Sequence, residues 1–381
     1  MTVRIAKQSN VAALFRSRLG AVSTETYLRN EELVNIVGSL IETHAASEVA
    51  TLQERIMLEE ALRPVEELRF AITNIALDEF AGSELWTLEM AAYMHRLGVP
   101  TLVYSPRIGR VASVFGSQGF VLTDDPAVVR KFAPNVLHIH HHAETRAARR
   151  MVGPECRTIN MIHGLLPLPE WPGPEMDVYL AVSLHAKAKG ALLGPPTWND
   201  IMLVPNFFDP RRFGTRKARK RSGALIHSSR ATTAYVEQMR ALLKRHGLAV
   251  DQIGYGSAVK ERPETVLPRY RVVFAVGRSA IEAIASGCRV ILWDHGIVGP
   301  AITVTNFWHA LAANFSVAGS VLPFVMPDDS TIDDWLAGQL AMPDDTEALR
   351  LLVQRYLTVD AIGARMVKIY TNRSDAPSAS Q

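Results

Sequence analysis

Residues 272–296 constrain the fold of this chain more than any other stretch. They read V-V-F-A-V-G-R-S-A-I-E-A-I-A-S-G-C-R-V-I-L-W-D-H-G. Val272–Val276 and Arg289–Trp293 are apolar runs of strand length with β-branched residues, as strands covered on both faces require. Between them Ala280, Ile281, Ala283, Ile284 and Ala285 favour a helix, and Gly287 ends it. Strand, helix and parallel strand make a βαβ unit, whose first loop lies at the carboxyl end of a strand, where open α/β sheets bind ligands. The amides of Gly277, Arg278 and Ser279 then form a helix N-terminus suited to phosphate, and Arg278 adds a positive charge. Glu282, one turn further on, is placed to accept hydrogen bonds from a ribose diol.

The 381 residues suffice for two α/β domains and an appendage. Hydrophobic content of 48% and charged content of 21% are globular values. A net charge of +3 is nearly balanced and argues for neither nucleic acid nor a strongly acidic partner, and no nucleic acid is expected. Cys156 and Cys288, both in apolar surroundings, give no disulfide framework and fit a reducing compartment. The first residues lack the apolar core of a signal peptide, and no run approaches the ~20 apolar residues of a membrane span. A cytoplasmic protein is expected, with peripheral membrane contact left open.

Periodicity divides the chain into four parts. Residues 1–64 read as a helical extension, with Leu33, Ile36, Val37, Leu40 and Ile41, then Val49, Leu52 and Ile56, at helical spacing. Packing or self-association through these helices is the expected role. From 65 to 208 short strands alternate with helices, which predicts a mostly parallel sheet. Residues 209–356 repeat the pattern as a second α/β domain. Residues 357–381 read as the end of a helix spanning Thr346–Tyr370, followed by a frayed polar tail. The basic run Arg216–Arg221 near the boundary reads as a solvated linker, with an anionic head group or phosphorylated acceptor as the alternative.

Several motifs carry a resemblance. Glu282, Ala283, Ala285, Gly287 and Val290 match the second half of the donor-site signature Glu, seven residues, Glu, then Ala-x-Ala-x-Gly-x-x-Val. Gly82 and Ser83, before Glu84 and the Leu88–Ala92 face, resemble that family's first glycine loop and helix, with Ala81 in place of the first glycine. Asn135-Val-Leu-His-Ile-His-His-His142 resembles its Asp-Val-Val-His-x-His strand end, and Thr158–Gly164 a strand ending in His-Gly. Val178–Ser183 resembles its x-x-Ala-Val-Ser strand. Pro205, Asn206, Asp209 and Phe213 keep the identity and spacing of its Pro-Asn-x-x-Asp-x-x-x-Phe crossing. These segments, in order over about 300 residues, resemble the retaining GT-B glycosyltransferases of family 4, the large group 1 class, and this chain is a divergent example. The first signature Glu is missing, Phe274 standing there, and Tyr235 stands near the position of the donor-clamp Lys.

The resemblance implies two Rossmann-like doubly wound domains facing a cleft, with the helical extension added. It implies transfer of a sugar, with retention and without an essential metal, from a nucleotide diphospho-sugar on the second domain. The acceptor, a glycan, a lipid-linked saccharide or a protein, would lie on the first. Arg230, Gly256, Lys260, Gly277, Arg278, Ser279 and Glu282 are the donor-site candidates, with Glu282 also counted as catalytic. His163 is the candidate for orienting the transferred sugar or stabilising charge in the transition state, with a structural loop histidine as the alternative. Gly82, Ser83, His140 and His142 are the acceptor-side candidates. Four histidines between 138 and 142 also invite a metal, but zinc ligands usually come from separated segments, and polar contacts are preferred. The nucleotide-sugar is a substrate, so no cofactor is expected. The alternative is a non-catalytic GT-B-like protein that binds a nucleotide or glycan or scaffolds a partner, and an epimerase on the same fold fits the crossing motif less well.

Overall fold

The computed structural model describes residues 31–58, 65–78, 82–115, 118–141, 147, 149–164, 172–173, 176–213, 223–228, 233–254, 262–317, 322–326 and 330–372. The chain divides into two units. One comprises Met1–Ile41, Leu58–Val204 and Val359–Gln381, the other Glu42–Met57 and Pro205–Thr358. Sequence alone places the division at 208/209 and gives the C-terminal helix to neither domain. Within the described part of the extension Glu31–Met57 is one continuous helix, with Val37, Ile41, Ala45, Val49, Leu52 and Ile56 buried at three- and four-residue spacing. Among the described residues no helix is long and apolar enough to cross a membrane.

The first unit is built on strands β1 (Phe70–Thr73), β2 (Thr101–Tyr104), β3 (Val121–Thr123), β4 (Val136–Ile139), β5 (Arg157–Ile162), β6 (Val178–Ala181) and β7 (Ile201–Leu203). All pairs are parallel, in the order β3-β2-β1-β4-β5-β6-β7. Phe70 lies opposite Thr101 on one side and Val136 on the other. Each central strand is four to six residues of almost unbroken burial, as a sheet covered on both faces requires.

Local chemistry starts and stops the helices of this unit. Asp125 accepts from the Ala127 amide at 2.8 Å and, with Pro126 in the first turn, begins helix Pro126–Phe132. Ser183 accepts from Ala186 at 3.0 Å and caps helix Leu184–Leu193. Helix Gly82–Arg96 is buried continuously from Leu85 to Met94, so it is covered on more sides than a single Leu-Ala face implies. The helix Val359–Thr371 supplies part of that cover. A Cβ on Gly363 would stand 2.3 Å from Tyr93 Cε1, so only glycine admits the Tyr93 ring there.

The second unit carries β8 (Ala224–Ser228), β9 (Val250–Gly254), β10 (Val272–Ala275), β11 (Arg289–Asp294) and β12 (Ile297–Ala301), in the order β12-β11-β10-β8-β9. The βαβ block predicted from sequence is present as β10, helix Gly277–Ala285 and β11, with β10 and β11 parallel. β12 is antiparallel to β11 and was not foreseen. His295 and Gly296 join the two with φ of 49° and 82°, the backbone of a tight primed hairpin turn. Pro300 lies within β12, which is tolerable because β12 is the edge strand.

One expectation from periodicity needs correction. The single helix over Thr346–Tyr370 is two helices, Thr346–Tyr356 and Val359–Thr371. Between them the chain turns aside to pair with Phe208, whose amide donates to the Leu357 carbonyl at 3.0 Å. The position eight residues before Glu282 lies in a strand, as its sequence predicts. Phe274 lies within β10, fully buried against Ile226, Ile291 and Trp293 in the unit's core, and only Val276 separates strand from helix.

Candidate functional site

In each unit one chemistry-bearing cluster forms where the strand order reverses. In the second unit that reversal lies between β8 and β10, and helix Gly277–Ala285 starts at the carboxyl end of β10. Gly277 has φ +59°, a backbone that side chains rarely adopt. Its amide donates to the Phe315 carbonyl at 3.2 Å, so the backbone donors toward an anion begin one residue later than the sequence suggested. The helix also starts at Gly277 rather than at Ala280, so Gly277, Arg278 and Ser279 belong to its first turn.

Arg278 and Glu282 meet each other. Arg278 Nε donates to Glu282 Oε1 at 2.9 Å, with both side chains almost wholly buried. The guanidinium carbon stands 5.7 Å from the centre of the Phe207 ring. Sequence assigns Arg278 to phosphate and Glu282 to ribose as separate contacts. In the structure the two are one ion pair, since residues four apart on a helix share a face. Ser279 Oγ lies 3.5 Å from His227 Nε2 of β8. Burial, reinforced by the Arg212 charge, pushes His227 down to about 4, so it is neutral at pH 7.

Several neighbours of this cluster escaped sequence reasoning. Asn206 Nδ2 donates to Asn314 Oδ1 at 2.8 Å. Asn314 and Phe315 are consecutive residues with φ of 54° and 49°, unusual for side chains other than Asn. Asn314 Nδ2 would lie 3.7 Å from a Cβ on Gly277. The crossing motif had marked Asn206 for its spacing alone. At the end of β9, Gly254 has φ +109°, and an added Cβ would fall 2.1 Å from the Ser228 carbonyl oxygen. Arg230, Gly256 and Lys260 lie outside the described residues.

In the first unit the order reverses between β1 and β4. Asn74 follows β1, where its Nδ2 donates to Thr87 Oγ1 at 3.0 Å and its Oδ1 accepts from the Ala76 amide. His140 and His141 follow β4, and His163 follows β5. Ile75 donates its amide to His141 Nδ1 at 3.3 Å. His140 Nδ1 and His163 Nε2 are hydrogen-bonded, with their rings stacked at 4.5 Å and 13°. His138 stacks on His140 at 4.9 Å, and its Nδ1 meets the Tyr370 hydroxyl at 2.8 Å. Trp86, fully buried, stands against all three rings at 4.8, 5.0 and 6.1 Å.

These imidazoles are held neutral. Burial pushes His138 down to about 3 and His141 to about 4, and carries His140 and His163 well below the ordinary value, with the neighbouring imidazoles adding to it. His163 is the partly exposed member, whereas His140 is fully buried. Among the described residues no group of three or more His, Cys, Asp or Glu is placed to hold a metal ion. Lys189, fully buried, donates to the Gly164 carbonyl at 2.6 Å. Gly82 opens helix Gly82–Arg96, and among the described residues nothing lies within 4 Å of an added Cβ there. Ser83 Oγ donates to Glu84 Oε2 at 2.8 Å. His142 lies outside the described residues.

No family model and no curated protein matches the sequence. Solved structures do match the fold. It is similar to a glycosyltransferase from Rickettsia africae, with TM-score 0.54 and 12% identity over 80% of this chain and 98% of that one. It is also similar to HepE from Anabaena, solved in complex with UDP and glucose, with TM-score 0.56 and 11% identity over 80% of this chain and all of that one. At such identities the likeness is one of fold, and the fold is GT-B: two Rossmann-like α/β units, here with an N-terminal helix added.

Proposed function

We propose that this chain is a glycosyltransferase of the hexosyl-transferring type. It would move a sugar from a nucleotide diphospho-sugar to a glycan, lipid-linked or protein acceptor, with retention of configuration. The observation that carries this is the helix Gly277–Ala285, set at the reversal of the second sheet with Arg278 and Glu282 on its first turn and a half. The GT-B fold supports it, and HepE on that fold was solved with UDP and glucose.

On this reading the task of the site is electrostatic, because negative charge grows on the diphosphate as the glycosidic bond breaks. The amides of Arg278 and Ser279 and the Arg278 guanidinium serve that charge, together with Arg230, Gly256 and Lys260. Glu282 takes the ribose diol, which requires its bond to Arg278 to loosen or to be shared. Phosphate arriving beside Arg278 supplies the substitute partner, so one ligand satisfies both halves of the pair. His163, neutral, orients the sugar, with Gly82 and Ser83 on the acceptor side.

The test is a titration of the purified protein with UDP-, GDP- and ADP-sugars, following binding heat and nucleotide release. Selective binding with slow release is expected. No binding across the panel would overturn the proposal and leave a non-catalytic GT-B-like protein in its place.

A further inference from the structure

The histidines after β4 do something that their run in the sequence does not suggest. His140 is fully buried, yet it lies in the row His138, His140, His163, each ring stacked on the next and all three resting on Trp86. The far end of the row is tied to the C-terminal helix by the bond between His138 Nδ1 and the Tyr370 hydroxyl. The near end is tied to His163 through the bond from His140 Nδ1 to His163 Nε2. That second bond commits Nε2 of His163 and leaves Nδ1 without a partner among the described residues.

The shared proton can be assigned. The Nε2 atoms of His138 and His140 are buried and have no hydrogen-bond partner among the described residues. A buried N–H without an acceptor is rare in folded proteins. The protons of both rings are therefore placed on Nδ1, where each has a partner. His138 then donates to the Tyr370 oxygen and His140 donates to His163 Nε2. His163 must accept at Nε2, and a neutral imidazole that accepts at one nitrogen carries its proton on the other.

We propose that His140 is a positioning residue that fixes His163 as the Nδ1–H tautomer, so that His163 presents a hydrogen-bond donor, not an acceptor, to its ligand. Tyr370 and His138 hold His140 in turn, and Lys189 holds the Gly164 carbonyl next to His163. The assignment suits a ligand group with a lone pair, such as a sugar hydroxyl oxygen or an oxygen gaining negative charge. The functional consequence rests on the glycosyltransferase reading, whereas the tautomer itself does not.

The experiment is a long-range proton–nitrogen NMR spectrum of the ¹⁵N-labelled full chain, with the His163 ring signals assigned by their loss in His163→Gln. The expected result is a protonated Nδ1 and an unprotonated Nε2 at His163, with no substrate present. In His140→Phe, which keeps an aromatic ring in the stack, the His163 signals should move toward the average of two exchanging tautomers. A wild-type His163 protonated at Nε2 would overturn the proposal outright, whether or not the variant folds. So would an unchanged His163 in a folded His140→Phe. If the tautomer is confirmed while no nucleotide-sugar binds, the functional reading fails and the positioning role stands.

Discussion

Arg278 and Glu282 hold each other across 2.9 Å on one face of the helix Gly277–Ala285, both nearly excluded from solvent. Neither is a lone donor-site residue in this state. Removing one partner leaves the other as a buried, uncompensated charge, which costs about 3–5 kcal/mol. Glu282→Gln should therefore lower the denaturation midpoint markedly as well as weaken nucleotide-sugar binding. The double change Arg278→Met with Glu282→Leu should recover most of the stability and none of the binding. Urea unfolding of Arg278→Met, Glu282→Leu and the double variant, beside calorimetric titration, separates the two effects. Additive stability losses would contradict the pairing.

Restoring the missing signature residue should fail. Phe274 is fully buried among Ile226, Ile291 and Trp293. A carboxylate there has no partner, so Phe274→Glu should cost about 4 kcal/mol or more and give little soluble protein. Soluble expression and thermal melting check this. A stable Phe274→Glu would mean that the strand places this side chain elsewhere.

Two glycines should separate backbone need from ligand need. Gly254→Ala puts a Cβ 2.1 Å from the Ser228 carbonyl oxygen at φ +109°, so it should destabilise by at least about 1–3 kcal/mol. Gly82→Ala meets nothing within 4 Å and should change stability by less than about 0.5 kcal/mol. A fall in kcat/KM with unaltered melting in Gly82→Ala is the outcome expected if ligand approaches that backbone.

Stability should fall on the acid side of neutrality. His138, His141 and His227 titrate at about 3, 4 and 4 in the folded protein, against about 6.5 when unfolded. Below pH 6.5 the unfolded chain therefore binds more protons than the native one. Their stabilising contribution is complete above that pH and is lost as pH falls toward 4 and 3, at up to about 1.4 kcal/mol per pH unit for each buried ring. Melting temperatures should be flat from pH 7 to 8 and should drop steadily from pH 6 to 4. A flat profile down to pH 4 would show that these rings are charged in the fold.

Tyr370→Phe removes the hydroxyl bonded to His138 Nδ1 in a fully buried setting, at a cost of about 1–3 kcal/mol. Thermal melting reads that loss directly. A neutral effect would place the His138 proton, and the anchor of the stack, elsewhere.

The alternation of strands and helices was legible in the chain, because period and stop residues act over a few positions. Val272–Ala275, the helix ended before Gly287, and Arg289–Asp294 lie close to where their sequence puts them. Pattern failed where a distant partner intervened. The helix through Leu357 breaks because Phe208, about 150 residues earlier, takes the Leu357 carbonyl, and β12 survives its proline only because the strand is at an edge.

The site divides in the same way. Sequence alone named Gly277, Arg278, Glu282 and His163, since residue type and spacing carry phosphate-binding and strand-end chemistry. It could not say that Arg278 is spent on Glu282, that Gly277 gives its amide to Phe315, or that His140 faces His163 and not solvent. The row of rings behind His163 is anchored by His138 and Tyr370, 232 residues apart along the chain. A chain's local order follows from short-range propensity, whereas which buried polar group satisfies which is settled only when the sheet and its covering helices close around them.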